Sequence, residues 1–312
     1  MNTKPIAELK LVFFGTPDFA VASLAALVNA GLNVVAVVTA PDKPSGRGLQ
    51  MHSTPVKQFA VTHQIPVLQP EKLKNPDFLQ ALKDLKADLH IVVAFRMLPV
   101  AVWDMPPMGT INVHGSLLPQ YRGAAPINWA IINGATETGV TTFKLKHEID
   151  TGNILLRHKI AITPGDNAGT VHDKLMHAGA ALLVETVYGL SQQTLNEIPQ
   201  DSITEELQHA PKIFKEDMRI DWNKDARAVL NLIRGLSPYP AAFTELEGKN
   251  IKVFLASVSA DKPDVSAGNY TTDHKTFLRF AAKDAWVNIL ELQQEGKKRM
   301  DIEAFLRGFR KA

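Results

Sequence analysis

Short apolar runs alternate with segments of helical spacing over the first part of the chain. Residues 9–14 and 34–39 are continuous apolar runs, as in strands buried on both faces. Between them, residues 19–30 repeat apolar side chains at helical spacing, Pro17 suits the first helical turn and Gly31 suits its end. This strand–helix–strand order predicts an α/β fold with a doubly wound, mostly parallel sheet.

The same alternation continues toward the middle of the chain. It predicts strands at residues 65–68, 87–94, 110–114, 141–146 and 154–162, and helices at 54–63, 70–85, 100–103, 128–133 and 170–190. Gly189 is expected to end the last of these helices. The first turn reads GTPDF and lacks the G-x-G-x-x-G fingerprint, so NAD binding of the usual kind is not expected.

A different pattern begins after residue 190. Residues 191–211 are polar and rich in Gln and Glu, which indicates a linker. After a helix at 226–236, short strands are predicted at 242–246, 251–257, 275–281 and 285–292, followed by a helix at 302–309. Short strands with glycine turns are typical of a small OB-like β-barrel. We therefore expect an α/β domain at 1–192, a linker at 193–211 and an OB-like domain at 212–312.

One connection, residues 40–54 (APDKPSGRGLQMHST), stands out from the rest. Its prolines and glycines predict no regular structure, and it is long for a connection in an α/β fold. Loops at the carboxyl ends of parallel strands often carry function, and a glycine-flanked arginine such as Arg47 can approach phosphate closely. The alternative is a surface excursion without a function.

Composition narrows the class of protein mainly by exclusion. The 312 residues are 45% hydrophobic and 21% charged, which is ordinary for a globular chain with room for about two domains. Cysteine is absent, which excludes disulfides, thiolate metal sites and cysteine nucleophiles. No apolar run reaches the length of about 18 residues of a membrane span, and no signal peptide is evident. We expect a soluble, cytoplasmic protein.

The net charge of +2 is too small for the whole surface of the chain to bind nucleic acid by charge alone. The charge is unevenly distributed, however. From Pro211 onward there are 18 Lys and Arg against 14 Asp and Glu, a charge of +4, which leaves −2 for the rest. Such a modest basic excess fits either phosphate contacts or ordinary solvated surface.

The polar residues with the clearest catalytic potential follow one predicted strand. Asn112 and His114 alternate along it and therefore share a face, with Val113 between them directed into the core. An amide can hold an oxyanion beside an imidazole that acts as general acid or base. Asp150, in a predicted loop, could reach the same cleft and fix the imidazole tautomer. Structural hydrogen bonds, and a turn cap by Asp150 before Gly152, are the alternatives.

No nucleophile is evident beside this pair. Ser116 lies in no elbow motif, and no spacing of histidines indicates a metal site. The residues alone therefore favour direct acyl-type transfer or hydrolysis through a tetrahedral intermediate, in an α/β cleft with a small β domain attached.

Several runs of the sequence resemble the methionyl-tRNA formyltransferase family, within the wider folate-dependent formyltransferases. They are residues 14–19 (FGTPDF), 111–119 (INVHGSLLP), 122–127 (RGAAPI), 137–140 (ETGV), 150–152 (DTG), 41–42 with 46–48 (PD, GRG), 219–222 (RIDW) and 296–298 (GKK). The similarity covers essentially the whole chain. The asparagine-x-histidine run marks the superfamily, whereas the GTPDF start, the inserted loop and the C-terminal part point to tRNA.

The resemblance implies a transfer of the formyl group from 10-formyltetrahydrofolate to the amino group of methionine on initiator Met-tRNA. It implies that Asn112 hydrogen-bonds the formyl oxygen, that His114 handles the proton of the amine, and that Asp150 orients His114. It further implies a monomer without a metal, with residues 1–192 catalytic and 212–312 binding tRNA. The implied folate contacts are Ser116, Leu117, Leu118, Pro119, Phe95 and Arg96, and the implied tRNA contacts are Lys43, Arg47, Lys297 and Lys298.

Two departures from the family pattern bear on these contacts. Leu49 and Gln50 stand where better-known members carry lysines, and the segment from Phe95 to Pro99 is one residue shorter than usual.

The competing enzyme is another folate formyltransferase or a formyltetrahydrofolate hydrolase, acting on a sugar nucleotide, a purine precursor or water. A non-enzymatic alternative is an RNA-binding protein on a relic α/β scaffold.

Overall fold

The computed structural model describes residues 4–45 and 50–309, and the chain forms two compact units. One contains the chain up to Arg122 with Gly139–Ile160 and His172–Gln208; the other contains Gly123–Thr138, Ala161–Val171 and the chain from His209 onward. The domain boundaries at residues 192 and 211 stay a prediction. In the part of the chain that is described, no helix combines the length and apolar character needed to cross a membrane.

The regular elements are numbered along the chain. The strands are β1 (Leu11–Gly15), β2 (Val34–Val38), β3 (Lys43–Ser45), β4 (Gln50–His52), β5 (Val67–Leu68), β6 (Leu89–Val93), β7 (Thr110–His114), β8 (Arg122–Gly123), β9 (Glu137–Lys144), β10 (Ile154–Ala161), β11 (His209–Ala210), β12 (Ala242–Leu246), β13 (Lys249–Val258), β14 (Tyr270–Thr272), β15 (Leu278–Ala281), β16 (Trp286–Gln294) and β17 (Met300–Asp301). The α-helices are α1 (Asp18–Asn29), α2 (Pro55–Thr62), α3 (Pro76–Asp84), α4 (Val100–Trp103), α5 (Pro126–Ile132), α6 (Ala168–Gln192), α7 (Ala226–Leu236) and α8 (Ile302–Leu306).

The first unit is built on a seven-stranded sheet with the order β10-β9-β7-β6-β1-β2-β5. The pairs β7–β6, β6–β1, β1–β2 and β2–β5 are parallel, whereas β9 runs antiparallel to β7. The strand that carries Asn112 and His114 therefore lies between a parallel and an antiparallel neighbour.

Helices pack against both faces of this sheet. Every residue of β1 and β6 is buried. On one face, Val12 and Phe14 of β1 cluster with Phe78 and Leu82 of α3. On the other, Gly15 lies so close to α1 that an added Cβ would be 2.7 Å from that of Ala20. Burial on both faces explains the continuous apolar runs, and the predicted α/β class is confirmed.

Three predicted elements of this part differ from the structure. The helix expected at 70–85 begins only at Pro76, because Asn75 caps it by accepting a hydrogen bond from the Asp77 amide at 2.8 Å. The loop at 40–54 is not wholly irregular, since β3 and β4 pair antiparallel within it. Helix α6 continues past Gly189 to Gln192, and the glycine instead leaves room for Leu195.

The second unit holds an antiparallel sheet of order β12-β13-β16-β15-β14, with β17 on β16. Its apolar side encloses a core to which α7 contributes Val229 and Ile233. Within this core, the rings of Trp222 and Phe280 stack with centroids 4.6 Å apart. The curled antiparallel sheet confirms the predicted small barrel-like β domain, although β14 was not predicted as a separate strand.

His90 of β6 gives the first unit a pH-dependent stability. Its side chain is fully buried: Nδ1 lies 3.1 Å from the Val102 carbonyl, Nε2 has no partner among the described residues, and burial lowers its pKa to about 4. The unfolded chain takes up a proton below its pKa of about 6.5, while the folded one stays neutral, so stability is lost as pH falls from about 6.5 to about 4.

We expect the free energy of unfolding to fall by about 2 kcal/mol more between pH 7 and pH 5 in the wild type than in His90→Leu. Urea unfolding at both pH values measures the difference. His158→Leu, at an exposed histidine, is the matched control, and its free energy of unfolding should fall between pH 7 and pH 5 by as much as that of the wild type. Parallel pH curves for wild type and His90→Leu would contradict the prediction.

Candidate active site

Strand β7 places Asn112 and His114 on one face, as its two-residue period requires. Asn112 lies opposite Phe143 of β9, and His114 lies opposite Thr141. Between them, Val113 is buried, and an added Cβ on Gly179 of α6 would lie 3.1 Å from its Cγ1. The reverse face of the strand is thus core, which leaves the Asn112 and His114 face for the site.

The imidazole of His114 is held on both sides. Its Nε2 lies 3.0 Å from the carbonyl oxygen of Tyr121, and its Nδ1 lies 3.9 Å from Oδ2 of Asp150. A carbonyl can only accept a hydrogen bond, so Nε2 carries the proton. In the neutral ring, Nδ1 therefore keeps its lone pair and faces the carboxylate. Asp150 is too far for an ordinary hydrogen bond and acts on the ring by charge.

The side chain of Asn112, unlike that of His114, is available for a hydrogen bond to a substrate. It is half-buried, and its carboxamide has no hydrogen-bond partner within the described residues. An amide N–H held on a strand beside an imidazole can donate to an oxygen that gains negative charge during a reaction. The pair therefore offers one donor for an oxyanion and one nitrogen for a proton.

The loop that carries Asp150 is tightly constrained. Asp150 has a φ of 55°, in the left-handed region, and an added Cβ on Gly152 would lie 1.5 Å from the Lys144 carbonyl oxygen. Gln200 Nε2 donates to the carbonyls of Asp150 at 2.9 Å and Gly152 at 2.7 Å. These contacts hold the backbone that directs the carboxylate toward His114.

Gln200 is itself fixed from the other side. Its Oε1 accepts hydrogen bonds from Arg122 Nε at 2.9 Å and Nη2 at 2.7 Å, and the residue is 2% exposed. It lies in the polar segment predicted as a linker, where nothing in the sequence distinguishes it from its glutamine neighbours. The Tyr121 carbonyl was equally unpredictable, because a backbone acceptor leaves no trace in residue type.

The turn after β7 contains the four residues expected to line a folate site. Ser116 Oγ donates to the Gln120 carbonyl at 2.5 Å, and Thr141 Oγ1 donates to the Ser116 carbonyl at 2.7 Å while accepting from the Leu118 amide at 3.1 Å. The peptide before Pro119 is cis. Only Leu117 is more than marginally exposed. These hydrogen bonds hold the turn in place, and its folate contacts stay a prediction.

Phe95 and Arg96 follow the carboxyl end of β6. Phe95 packs edge-on against Phe14 with centroids 5.8 Å apart. Arg96 is exposed, and its guanidinium donates to the carbonyls of Pro70 and Glu71, the latter at 2.8 Å. This arginine therefore joins two loops at the carboxyl edge of the sheet. Contact of either residue with a pterin stays a prediction.

The residues expected to contact tRNA are distant in sequence from Asn112, His114 and Asp150. Lys43 is exposed on β3, and Lys297 and Lys298 are exposed after the turn at Gly296; Arg47 lies outside the described residues. The base of the 40–54 segment is anchored by Asp42, which is 2.6 Å from Lys57 Nζ. Hydrogen bonds from Lys57 and Gln69 lower the pKa of Asp42. In the described ranges no cluster of three His, Asp or Glu side chains could hold a metal ion.

Comparison with known proteins identifies the family of the chain. The profile described as Formyl transferase matches residues 9–187, and that of Formyl transferase, C-terminal domain matches residues 212–310. A methionyl-tRNA formyltransferase from Bacteroides fragilis is 55% identical over 97% of this chain and 95% of its own length. The chain belongs to the methionyl-tRNA formyltransferase family. The resemblance seen in the sequence motifs is thereby confirmed.

A second methionyl-tRNA formyltransferase, from Bacteroides thetaiotaomicron, is 52% identical over 97% of this chain and 96% of its own. Solved structures share the fold at lower identity. The N-formyltransferase from Helicobacter canadensis, in complex with folinic acid and dTDP-3-aminofucose, has a TM-score of 0.68 at 18% identity over 94% of this chain and 100% of that chain. HypX from Aquifex aeolicus, in complex with tetrahydrofolic acid, has a TM-score of 0.65 at 18% identity over 96% of this chain and 47% of that chain.

Proposed function

We propose that this protein transfers the formyl group of 10-formyltetrahydrofolate to the amino group of methionine on initiator Met-tRNA, in support of translation initiation. The observation that carries the proposal is the similarity to methionyl-tRNA formyltransferases along both parts of the chain, at 55% identity for one of them. The Asn112 amide, which has no hydrogen-bond partner among the described residues, and the Nδ1 lone pair of His114 support the same chemistry.

The amine of methionine attacks the formyl carbon, and a tetrahedral intermediate forms. Asn112 donates a hydrogen bond to the formyl oxygen as it becomes an oxyanion. His114 accepts the proton that the amine loses, at Nδ1, because Nε2 is held as a donor by the Tyr121 carbonyl. Asp150 stabilises the resulting imidazolium across 3.9 Å. The intermediate collapses with cleavage of the bond to the folate N10, which takes up the proton.

The remaining assignments belong to the same proposal. Ser116 to Pro119, Phe95 and Arg96 border the folate, and Lys43, Arg47, Lys297 and Lys298 contact tRNA phosphates. Residues 1–192 form the catalytic domain, 193–211 the linker and 212–312 the tRNA-binding domain. The protein acts as a monomer in the cytoplasm, where charged initiator tRNA is used.

The test uses the purified protein, a labelled formyl donor, and methionine-charged initiator and elongator tRNA. Transfer of label to initiator Met-tRNA, in preference to the elongator, supports the proposal. Parallel reactions contain a nucleotide-linked amino sugar or no acceptor. Label in the sugar product, or free formate without transfer to tRNA, would assign the site to sugar formylation or to hydrolysis.

Gln200→Ala is expected to lower kcat by roughly 10- to 100-fold, because small displacements of catalytic groups cost rates of this order. The variant removes the two donors that hold the Asp150 and Gly152 carbonyls, so Asp150 loses its position relative to His114. KM for either substrate should change little. Steady-state kinetics of the formyl transfer measure the effect.

Two further variants separate positioning from general stability. Gln192→Ala, at an exposed glutamine of the same unit, should match the wild type. Gln200→Glu keeps the acceptor for Arg122 but lacks the amide donors, so it should be as slow as Gln200→Ala. A normal rate for Gln200→Glu would show that the Arg122 contact, and not the hold on the Asp150 loop, is what matters.

A further inference from the structure

A groove in the second unit takes no part in the chemistry proposed above. Its cavity measures about 550 Å³ and lies between the segment at Tyr239, strands β12 and β13, and the turn that follows β16. Volumes of this size are typical of ligand sites. The groove is lined by aromatic, cationic and carboxamide side chains, among them Tyr239, Lys215, Lys252, Asn250 and Gln293.

Exposed aromatic rings accompany the groove. Tyr239 lines the groove and is 82% exposed, so its ring face is available for stacking. Phe214, next in sequence to the groove residue Lys215, is 56% exposed, and Lys212 Nζ lies 5.5 Å from its ring centroid. Exposed rings interleaved with lysines are the arrangement by which proteins bind unpaired bases.

The charge around the groove is positive. Lys215 and Lys252 line it, and Lys297 and Lys298 directly follow Gly296, which also lines it. All four are exposed, and within residues 4–45 and 50–309 none of them forms a salt bridge. Glu295 is the acidic residue of the lining, and the exposed Glu216 and Asp217 directly follow Lys215, so cations still outnumber anions by one. This excess of cations complements the phosphates of a nucleic acid, and the exposed rings favour a nucleic acid over an acidic protein.

We propose that this groove binds an unpaired nucleotide of the tRNA, with its base stacked on Tyr239 and its phosphates facing Lys215 and Lys252. The carboxamides of Asn250 and Gln293 are of the right type to hydrogen-bond a base edge. The proposal rests on the proposed function, because it takes tRNA as the substrate. It adds a stacking contact to the backbone contacts expected of the C-terminal part.

The test measures binding of initiator tRNA to the full-length protein by filter binding across a range of salt concentrations. Tyr239→Ala should raise Kd by roughly 5- to 100-fold, the loss expected for one base–aromatic stack. Tyr239→Phe keeps the ring and should bind as the wild type does. Lys252→Ala should reduce the slope of log K against log salt by about one phosphate contact. The exposed Lys262 of the same unit, changed to alanine, is the matched control.

Unchanged tRNA binding by Tyr239→Ala would overturn the inference, as would equal losses in Tyr239→Phe and Tyr239→Ala. Thermal unfolding of each variant accompanies the binding curves, and KM for the folate should stay at the wild-type value. Formylation of Met-tRNA by the wild type, measured on the same tRNA, separates the two proposals. If the wild type formylates Met-tRNA and Tyr239→Ala binds tRNA normally, the inference about the groove is wrong and the proposed function stands. If the wild type does not formylate Met-tRNA but Tyr239→Ala binds tRNA more weakly, the proposed function is wrong and the groove still binds tRNA.

Discussion

Replacing His114 with alanine is expected to lower kcat for formyl transfer by roughly 10²–10⁴-fold, the usual contribution of a general acid or base. The ring is 8% exposed and is held between the Tyr121 carbonyl and the Asp150 carboxylate, so alanine removes an imidazole that is fixed in position. Single-turnover rates with the labelled donor measure the chemical step directly. KM for 10-formyltetrahydrofolate should change little, because His114 acts on the attacking amine.

His147→Ala is the matched control for this variant, since His147 is exposed in the loop that leads to Asp150. It should retain the wild-type rate. Added imidazole should restore part of the activity of His114→Ala and none of that of an Asn112 variant. A near-normal rate for His114→Ala, with initiator tRNA formylated as before, would exclude His114 from proton transfer.

Replacing Asn112 with alanine should lower kcat by roughly 10²–10³-fold, which is the measured cost of losing one oxyanion donor in other enzymes. The amide has no partner of its own among the described residues, so the variant leaves no group unsatisfied and the fold should be unaffected. Asn112→Asp should be slower still, because a carboxylate repels the oxyanion that the amide stabilises. Pre-steady-state kinetics and thermal unfolding of both variants test these expectations.

An exposed asparagine elsewhere in the unit, Asn196, provides the control for Asn112. Asn196→Ala should behave as the wild type. If Asn112→Ala instead raised KM for the folate and left kcat unchanged, the amide would contribute to ground-state binding and not to stabilisation of the oxyanion.

Much of the fold follows from local patterns. Strands β1 and β6 were predictable because they are buried on both faces and read as largely apolar runs. Strand β7 was predictable from the alternation of its polar and apolar residues. Helix ends were less predictable. The start of α3 depends on capping by Asn75, and Gly189 lies within α6, where Leu195 occupies the space that a larger side chain would need. Such ends depend on contacts that a window of sequence does not contain.

The sequence alone established which residues are available for catalysis. Two-residue periodicity placed Asn112 and His114 on one face of a strand, the absence of cysteine removed a class of nucleophile, and the motifs indicated the family. These conclusions need only neighbours along the chain, where side-chain direction follows from backbone period.

The tertiary structure established how those residues are held. Asp150 lies 3.9 Å from His114 although 36 positions separate them, the Tyr121 carbonyl selects the tautomer, and Gln200 fixes the Asp150 loop from 50 residues away. Two of these contacts use backbone carbonyls, whose identity is the same at every position of the sequence. Their specificity arises only when folding brings distant segments together, because a hydrogen bond is defined by distance and direction and not by residue order.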